Sequence, residues 1–383
     1  MKVGIITFWQ SNDNYGQLLQ CWALQQQLMK MGHEPFLIRY DFINNKPRSP
    51  IWKRVLKSVL IYPLYRKFKR TRKLREIQQA FNAKNRQRQF DLFREQKLSL
   101  SEKIYKSLSD LQCNPPIADC YIVGSDQVWA QLISFKDNQV FYLDFGDSAI
   151  RRIAYAPSFS MTEYPAHLLP LLKKQLQRFD AISVREEVGV DICKSVGFSA
   201  VRVLDPTLLL EKCDYTTLIP KNLTTASYIY VYSLNISTPD DLYWNDLNLM
   251  SQQYNLKLIV TTGSGYIPGY EIFNDVTYSY ATIQQWLSYI NDANLVVTSS
   301  FHGIVFSIIL ETPFVYIPLK GNFSSGNNRI LDLLYDLGLE SRILTNERSY
   351  FDIYHQVIDW TSVKNRLKGL QEQSIQYLKQ SLL

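Results

Sequence analysis

The sequence is poor in the residues that staple a chain or hold a metal. Among 383 residues it has five cysteines, at 21, 113, 120, 193 and 213, and four histidines, at 33, 167, 302 and 355. The cysteine count is odd, no pair forms C-x-x-C, and the histidines stand singly. That excludes a disulfide framework and a zinc-ligand spacing, and no metal is expected. Glycine and proline number only 15 each, which excludes a collagenous or low-complexity chain. No run approaches the ~20 apolar residues of a membrane span. The first ten residues, MKVGIITFWQ, turn polar at Ser11 and lack the apolar core and cleavage site of a signal peptide. A cytoplasmic protein with reduced thiols is the expectation. What is present is ordinary for a globular chain, 46% hydrophobic and 20% charged, with length enough for two domains.

The net charge of +7 is unevenly placed. Residues 46–106 hold 19 Lys/Arg against four acids, Glu76, Asp91, Glu95 and Glu102, and the remainder is acidic. Aromatics interleave with the basic residues, from Trp52 and Tyr62 to Phe90 and Phe93. The run IWKRVLKSVLIYPLYRKF, from Ile51 to Phe68, mixes apolar and basic residues near helical spacing, with Pro63 as a break. Two readings stay open: a solvated helical insertion, or a basic amphipathic element lying on the anionic inner face of a membrane. No nucleic-acid motif accompanies the charge, so no nucleic-acid partner is expected.

Along the rest of the chain, short β-branched runs alternate with helical periods. KVGIITF (2–8), a helix capped by Gly32 and PFLIR (35–39) make a βαβ unit, which implies a parallel sheet. Strands are predicted at 119–123, 152–156, 181–185 and 201–205, with helices at 166–178 and 187–196. Pro220 lies in a stretch without period, where the domain boundary is placed. A second α/β run has strands at 227–234, 256–263, 294–300 and 313–318 and helices at 240–254, 282–291 and 303–311. The expected fold is α/β, with two Rossmann-like domains facing a cleft. They span 1–215, with the basic helical insertion at about 46–106, and 216–360. A tail helix at 361–383 is expected to pack back on the first domain.

In such sheets ligands bind beyond the carboxyl ends of the strands, which selects five loops. Ser11 to Gly16, with Asn14 and Tyr15, combines a helix cap with free N–H groups suited to an anion or a sugar hydroxyl. It is not G-x-G-x-x-G, so a dinucleotide is not expected. Gly124-Ser125-Asp126-Gln127 places a carboxylate after a buried strand, as a base or as a simple helix cap. Arg185 ends a strand before two acids, as an anion clamp or a surface ion pair. Ser299-Ser300-Phe301-His302-Gly303 gathers hydroxyls and a histidine at a helix start. Lys320 to Arg329 is a polar loop with two cations, a flap or a solvated linker.

The runs GSDQVW (124–129), SVREE (183–187), LDPTLLL (204–210) and SSFHG (299–303), in this order, together with NYGQLLQ (14–20) and NRILDLLYDLGL (328–339), resemble the polysaccharide pyruvyl transferase family. The resemblance covers nearly the whole chain outside 46–106. It implies a fold like that of the GT-B glycosyltransferases and transfer of pyruvate from phosphoenolpyruvate (PEP) to a sugar hydroxyl pair as a ketal. PEP is then a substrate and no cofactor is needed; the acceptor is a sugar, lipid-linked in the usual setting of capsule or exopolysaccharide synthesis. By that resemblance His302 and Asp126 are the candidate acid and base. Arg185, Ser299, Ser300, His302, Gly303, Lys320 and Arg329 are the candidate PEP ligands. Asn14, Tyr15, Gly16, Ser125, Asp126 and Gln127 are the candidate acceptor side. One departure stands out: where some members read R-x-H this chain reads Ser300-Phe301-His302, so a cation is missing unless Lys320 or Arg329 supplies it. A GT-B glycosyltransferase using a nucleotide sugar, or a binding protein without turnover, is the alternative.

Overall fold

Runs of Val, Ile, Leu, Tyr and Cys too short for helices become strands buried on both faces. A computed structural model describes residues 1–41, 76, 79–80, 82–130, 138–220, 226–236, 238–263 and 271–383. The first sheet has seven strands: β1 (Lys2–Ile6), β2 (Glu34–Tyr40), β3 (Leu100–Tyr105), β4 (Cys120–Val123), β5 (Arg151–Ala154), β6 (Ala181–Val184) and β7 (Val201–Arg202), in the order β3-β2-β1-β4-β5-β6-β7. The second has five: β8 (Tyr228–Ser233), β9 (Lys257–Thr262), β10 (Thr277–Tyr278), β11 (Leu295–Thr298) and β12 (Phe314–Tyr316), in the order β10-β9-β8-β11-β12. All pairings are parallel. Both orders are those of a Rossmann sheet, reversing direction between β1 and β4 and between β8 and β11. The fold is therefore two Rossmann-like domains, in the GT-B manner expected from the sequence.

The basic stretch needs a correction at its end. Its residues 46–75, including Lys53, Arg54, Lys57, Arg66, Lys67, Lys69 and Arg70, lie outside the described residues. Residues 90–105 are not an insertion: they form the helix Phe90–Lys97 and the edge strand β3, which adds to β2. Polar LSEKIY hid this strand from the sequence, because an edge strand leaves much of its surface in water. Phe90 and Phe93 are buried, and Arg94 donates to the carbonyls of Trp9 and Ser11 and to Asn12 Oδ1. Among the described residues no helix is long and apolar enough to cross a membrane.

The domains are fused through an aromatic seam. Tyr15, the first residue of the helix Tyr15–Lys30 that follows β1, is fully buried and stacks on Trp286 of the second domain at 5.1 Å and 9°. Its ring meets Tyr232 and Phe90 edge-on. Its hydroxyl donates to the Ala281 carbonyl at 2.7 Å and accepts from Arg88 Nη1 at 2.6 Å. Arg88 also donates through Nη2 to the Thr262 carbonyl at 2.7 Å. The C-terminal helix Trp360–Leu382 lies on the first domain: Ser374 Oγ accepts from the Leu204 N–H at 3.0 Å, and Tyr377 donates to the Ala154 carbonyl at 3.2 Å.

Arg88→Met keeps the bulk of the side chain but leaves the buried Thr262 carbonyl without its donor. It should destabilise the protein by about 2–4 kcal/mol, the scale of an orphaned buried polar group plus a lost charged hydrogen bond. Urea unfolding measures this, and an unchanged midpoint would remove Arg88 from the seam.

Candidate active site

The two switch points face each other across the cleft. Beyond β1 and β4 lie Ser11–Gly16 and Gly124–Trp129; beyond β11 lies the turn into the helix Phe301–Leu310. Each helix is capped by its own side chain, Asn14 accepting from the Gln17 N–H and Ser300 from the Gly303 N–H, both at 3.4 Å. Their positive ends converge. The approach is so close that a Cβ at Gly16 would lie 1.9 Å from His302 Nδ1. Gly16 is glycine because His302 occupies the space. At Gly124, φ is +115° and a Cβ would lie 2.1 Å from the Tyr155 carbonyl oxygen. That turn places Asp126, itself left-handed at φ +74°, at the sheet edge of the cleft; Asp tolerates this region better than most residues.

Asp205, just beyond β7, is the hub. Arg185 Nη1 donates to its Oδ2 at 2.7 Å, Ser125 Oγ to the same oxygen at 2.9 Å, and Thr207 donates to Oδ1 through N–H at 3.0 Å and Oγ1 at 2.6 Å. His302 Nε2 lies 3.8 Å from Oδ1. Burial by itself would raise the Asp205 carboxyl; His302, Arg185 and Thr207 outweigh it and hold the group far below the usual range. Asp205 is therefore a carboxylate at every working pH.

Around that hub several buried polar atoms have no partner: Arg185 Nε and Nη2, Arg329 Nε, Asp126 Oδ2, Glu186 Oε2 and His302 Nε2. Arg185 Nη2 is 3.8 Å from Asp126 Oδ1. Glu186 Oε1 accepts from the N–H groups of Phe159 and Ser160 and from Ser158 Oγ. The guanidiniums of Arg185 and Arg329 lie 4.8 and 5.6 Å from the centre of the Phe301 ring. With its amide oxygen toward Arg329, Gln127 accepts from Nη1 at 2.5 Å and Nη2 at 3.1 Å. Burial, then the charge of Arg185, lowers Arg329 to about 10, so it remains a cation at neutral pH. A cavity of about 140 Å³ opens beside Arg185, Asp205, Phe301 and Arg329. Guanidiniums with unpartnered N–H groups, a histidine and a carboxylate suit an anionic substrate undergoing proton transfer.

The model of one family, polysaccharide pyruvyl transferase, matches residues 14–321, which hold both switch points. This chain belongs to that family. It is thus a transferase of polysaccharide pyruvylation. No match is found among curated proteins. Solved structures similar to it include the UDP-N-acetylglucosamine 2-epimerase of Rickettsia bellii, 11% identical, with a TM-score of 0.43, covering 99% of this chain and 96% of that one. The UDP-GlcNAc 2-epimerase of Neisseria meningitidis bound to UDP-GlcNAc is 8% identical, with a TM-score of 0.44, covering 97% and 99%. CalG4, the calicheamicin glycosyltransferase, is 11% identical, with a TM-score of 0.43, covering 100% and 98%.

Within this pyruvyl transferase the sequence-predicted residues divide. His302, Asp126, Arg185, Arg329, Ser125, Gln127 and Gly16 come together, with Asn14 at the cap beside them. Lys320 does not join them: it is exposed, 3.2 Å from the Tyr243 hydroxyl and over that ring. Ser299 Oγ is committed to the Leu234 N–H and carbonyl. Gly303 serves packing, since a Cβ there would lie 2.3 Å from Thr298 Oγ1. Tyr15 is the seam, not a ligand of the acceptor. Sequence reasoning assigned no role to Asp205 or Glu186; the Asp-Pro-Thr turn after a strand was the available signal for the first.

Gly16→Ala should displace the buried His302 and destabilise the protein by about 1–3 kcal/mol, the scale of overpacking a filled interior. Turnover should fall at least about tenfold through this misplacement. Melting temperature and turnover together check it; full activity would separate Gly16 from the site.

Proposed function

We propose that the cleft binds PEP between Arg185 and Arg329 and transfers its pyruvyl group to two hydroxyls of a sugar, releasing phosphate. The observation that carries this reading is the set of unpartnered guanidinium N–H groups of Arg185 and Arg329 beside an unpartnered His302 Nε2. A donor with two anionic groups and an enol carbon needs that combination.

In the first step a sugar hydroxyl oxygen bonds to C2 of PEP. Its proton goes to Asp126 Oδ2, and His302 donates a proton to C3, making the methyl group. Asp205, 3.8 Å from Nε2, stabilises the imidazolium that supplies it. In the second step the other hydroxyl oxygen bonds to C2 as the C2–O bond to phosphate breaks. Its proton restores His302, and the proton on Asp126 leaves with the phosphate. Both side chains end as they began.

PEP should raise the melting temperature, while UDP- and GDP-sugars should not; stabilisation by a nucleotide sugar alone would favour a glycosyltransferase. His302→Gln should keep the PEP shift and the fold but lower turnover at least about a hundredfold, the scale of a positioned acid. Normal turnover would sink the assignment.

The acceptor in this reading is lipid-linked and presented at an anionic membrane surface, where the basic residues 46–75 gather. Each can contribute about 1 kcal/mol at such a surface. The protein should co-sediment with anionic vesicles at low salt and be released at high salt. Indifference to anionic vesicles at low salt would remove the membrane from the proposal.

A further inference from the structure

We infer that the two ends of the donor are held by opposite walls of the cleft: the phosphate by Arg329, the carboxylate by Arg185. This rests on the PEP reading above and adds the orientation of the donor.

The two arginines differ in what already neutralises them. Arg185, on the first domain, has Asp205 at 2.7 Å and Asp126 at 3.8 Å. Its charge is compensated, and what it offers is a pair of buried N–H donors, Nε and Nη2, without partners. That fork suits a planar monoanion such as a carboxylate. Arg329, on the second domain, makes no ion pair among the described residues, and it donates to the neutral Gln127 amide. Its Nε is buried without a partner although the side chain is only partly buried, and a cation without a counter-ion is best offset by a group that carries two negative charges.

The surroundings of Arg329 leave the task to its side chain. Arg329 is the second residue of the ten-residue helix Asn328–Leu337. Asn327 precedes that helix but does not cap it: its Oδ1 accepts from the Tyr316 hydroxyl at 2.8 Å and the Leu319 N–H at 3.0 Å. The helix continues the 3-10 helix Gly321–Asn327 without a break, so its first turn is not a free helix end, and what is left without a partner there is the Nε of the guanidinium. An arginine with a free N–H and no counter-ion suits a phosphate. Phe301 lies under both guanidiniums and restrains their planes. Arg329 thus supplies the cation that Ser300 does not. The consequence is directional: phosphate departs along the second domain while the carboxylate stays anchored beside Asp126.

The test is displacement of PEP from the full-length protein by inorganic phosphate and by pyruvate, in the wild type and in single variants. Arg329→Gln should weaken phosphate at least about tenfold and leave pyruvate within about threefold, and Arg185→Gln should do the reverse. Arg329→Lys, which keeps the charge but loses the fork, should fall between wild type and Arg329→Gln for phosphate, and guards against a glutamine variant that fails to fold. Equal loss of both probes in both variants, or the crossed pattern, would overturn the orientation. So would failure of either probe to displace PEP from the wild type. A wild-type protein that does not bind PEP at all would instead bring down the donor reading itself.

Discussion

The stacking of Tyr15 on Trp286 sets the geometry on which the rest depends. One aromatic ring, buried and hydrogen-bonded at both sides of its hydroxyl, joins the first turn of one Rossmann domain to the body of the other. Burial pushes its phenol up to about 12, with Arg88 pulling against the rise, so it stays a neutral strut. Because Gly16 follows directly, the same contact brings a helix N-terminus against His302. A seam made for stability thereby fixes where His302 stands. Apolar contact supplies the energy, and two helix ends supply the positive field.

The second constraint is electrostatic. Asp205 is a buried carboxylate that would be intolerable alone. Arg185, Thr207, Ser125 and His302 surround it, so its charge organises groups from both domains. The polar atoms left over find no partner in the protein, and the proposed donor would supply one. Native interiors rarely leave so many orphans in one place; their concentration at a sheet switch point is what separates this cleft from ordinary packing.

The fold was largely legible because parallel strands buried on both faces read as short apolar runs, and each lies near its expected place. β3 was not legible, since its edge position lets polar residues serve, and β10 is only two residues long. The helix Asn328–Leu337 was read only as part of a motif. In the site, Asp126, Arg185 and His302 could be singled out because each ends a strand or begins a helix. Tyr15 and Ser299 stand in equally suitable loops, yet their polar atoms turn to carbonyls and N–H groups that only folding brings near.

By itself the sequence determined the alternation of strand and helix, the loops at the carboxyl ends and the family, since these are local patterns of period, cap and turn. Tertiary structure alone decided which loop residues share the cleft. Arg329 rather than Lys320 meets Phe301, and Asp205 rather than an isolated surface acid faces His302. Residues more than a hundred positions apart meet only when two domains close on one seam, and the charge each can carry there depends on burial and on neighbours that no local pattern specifies.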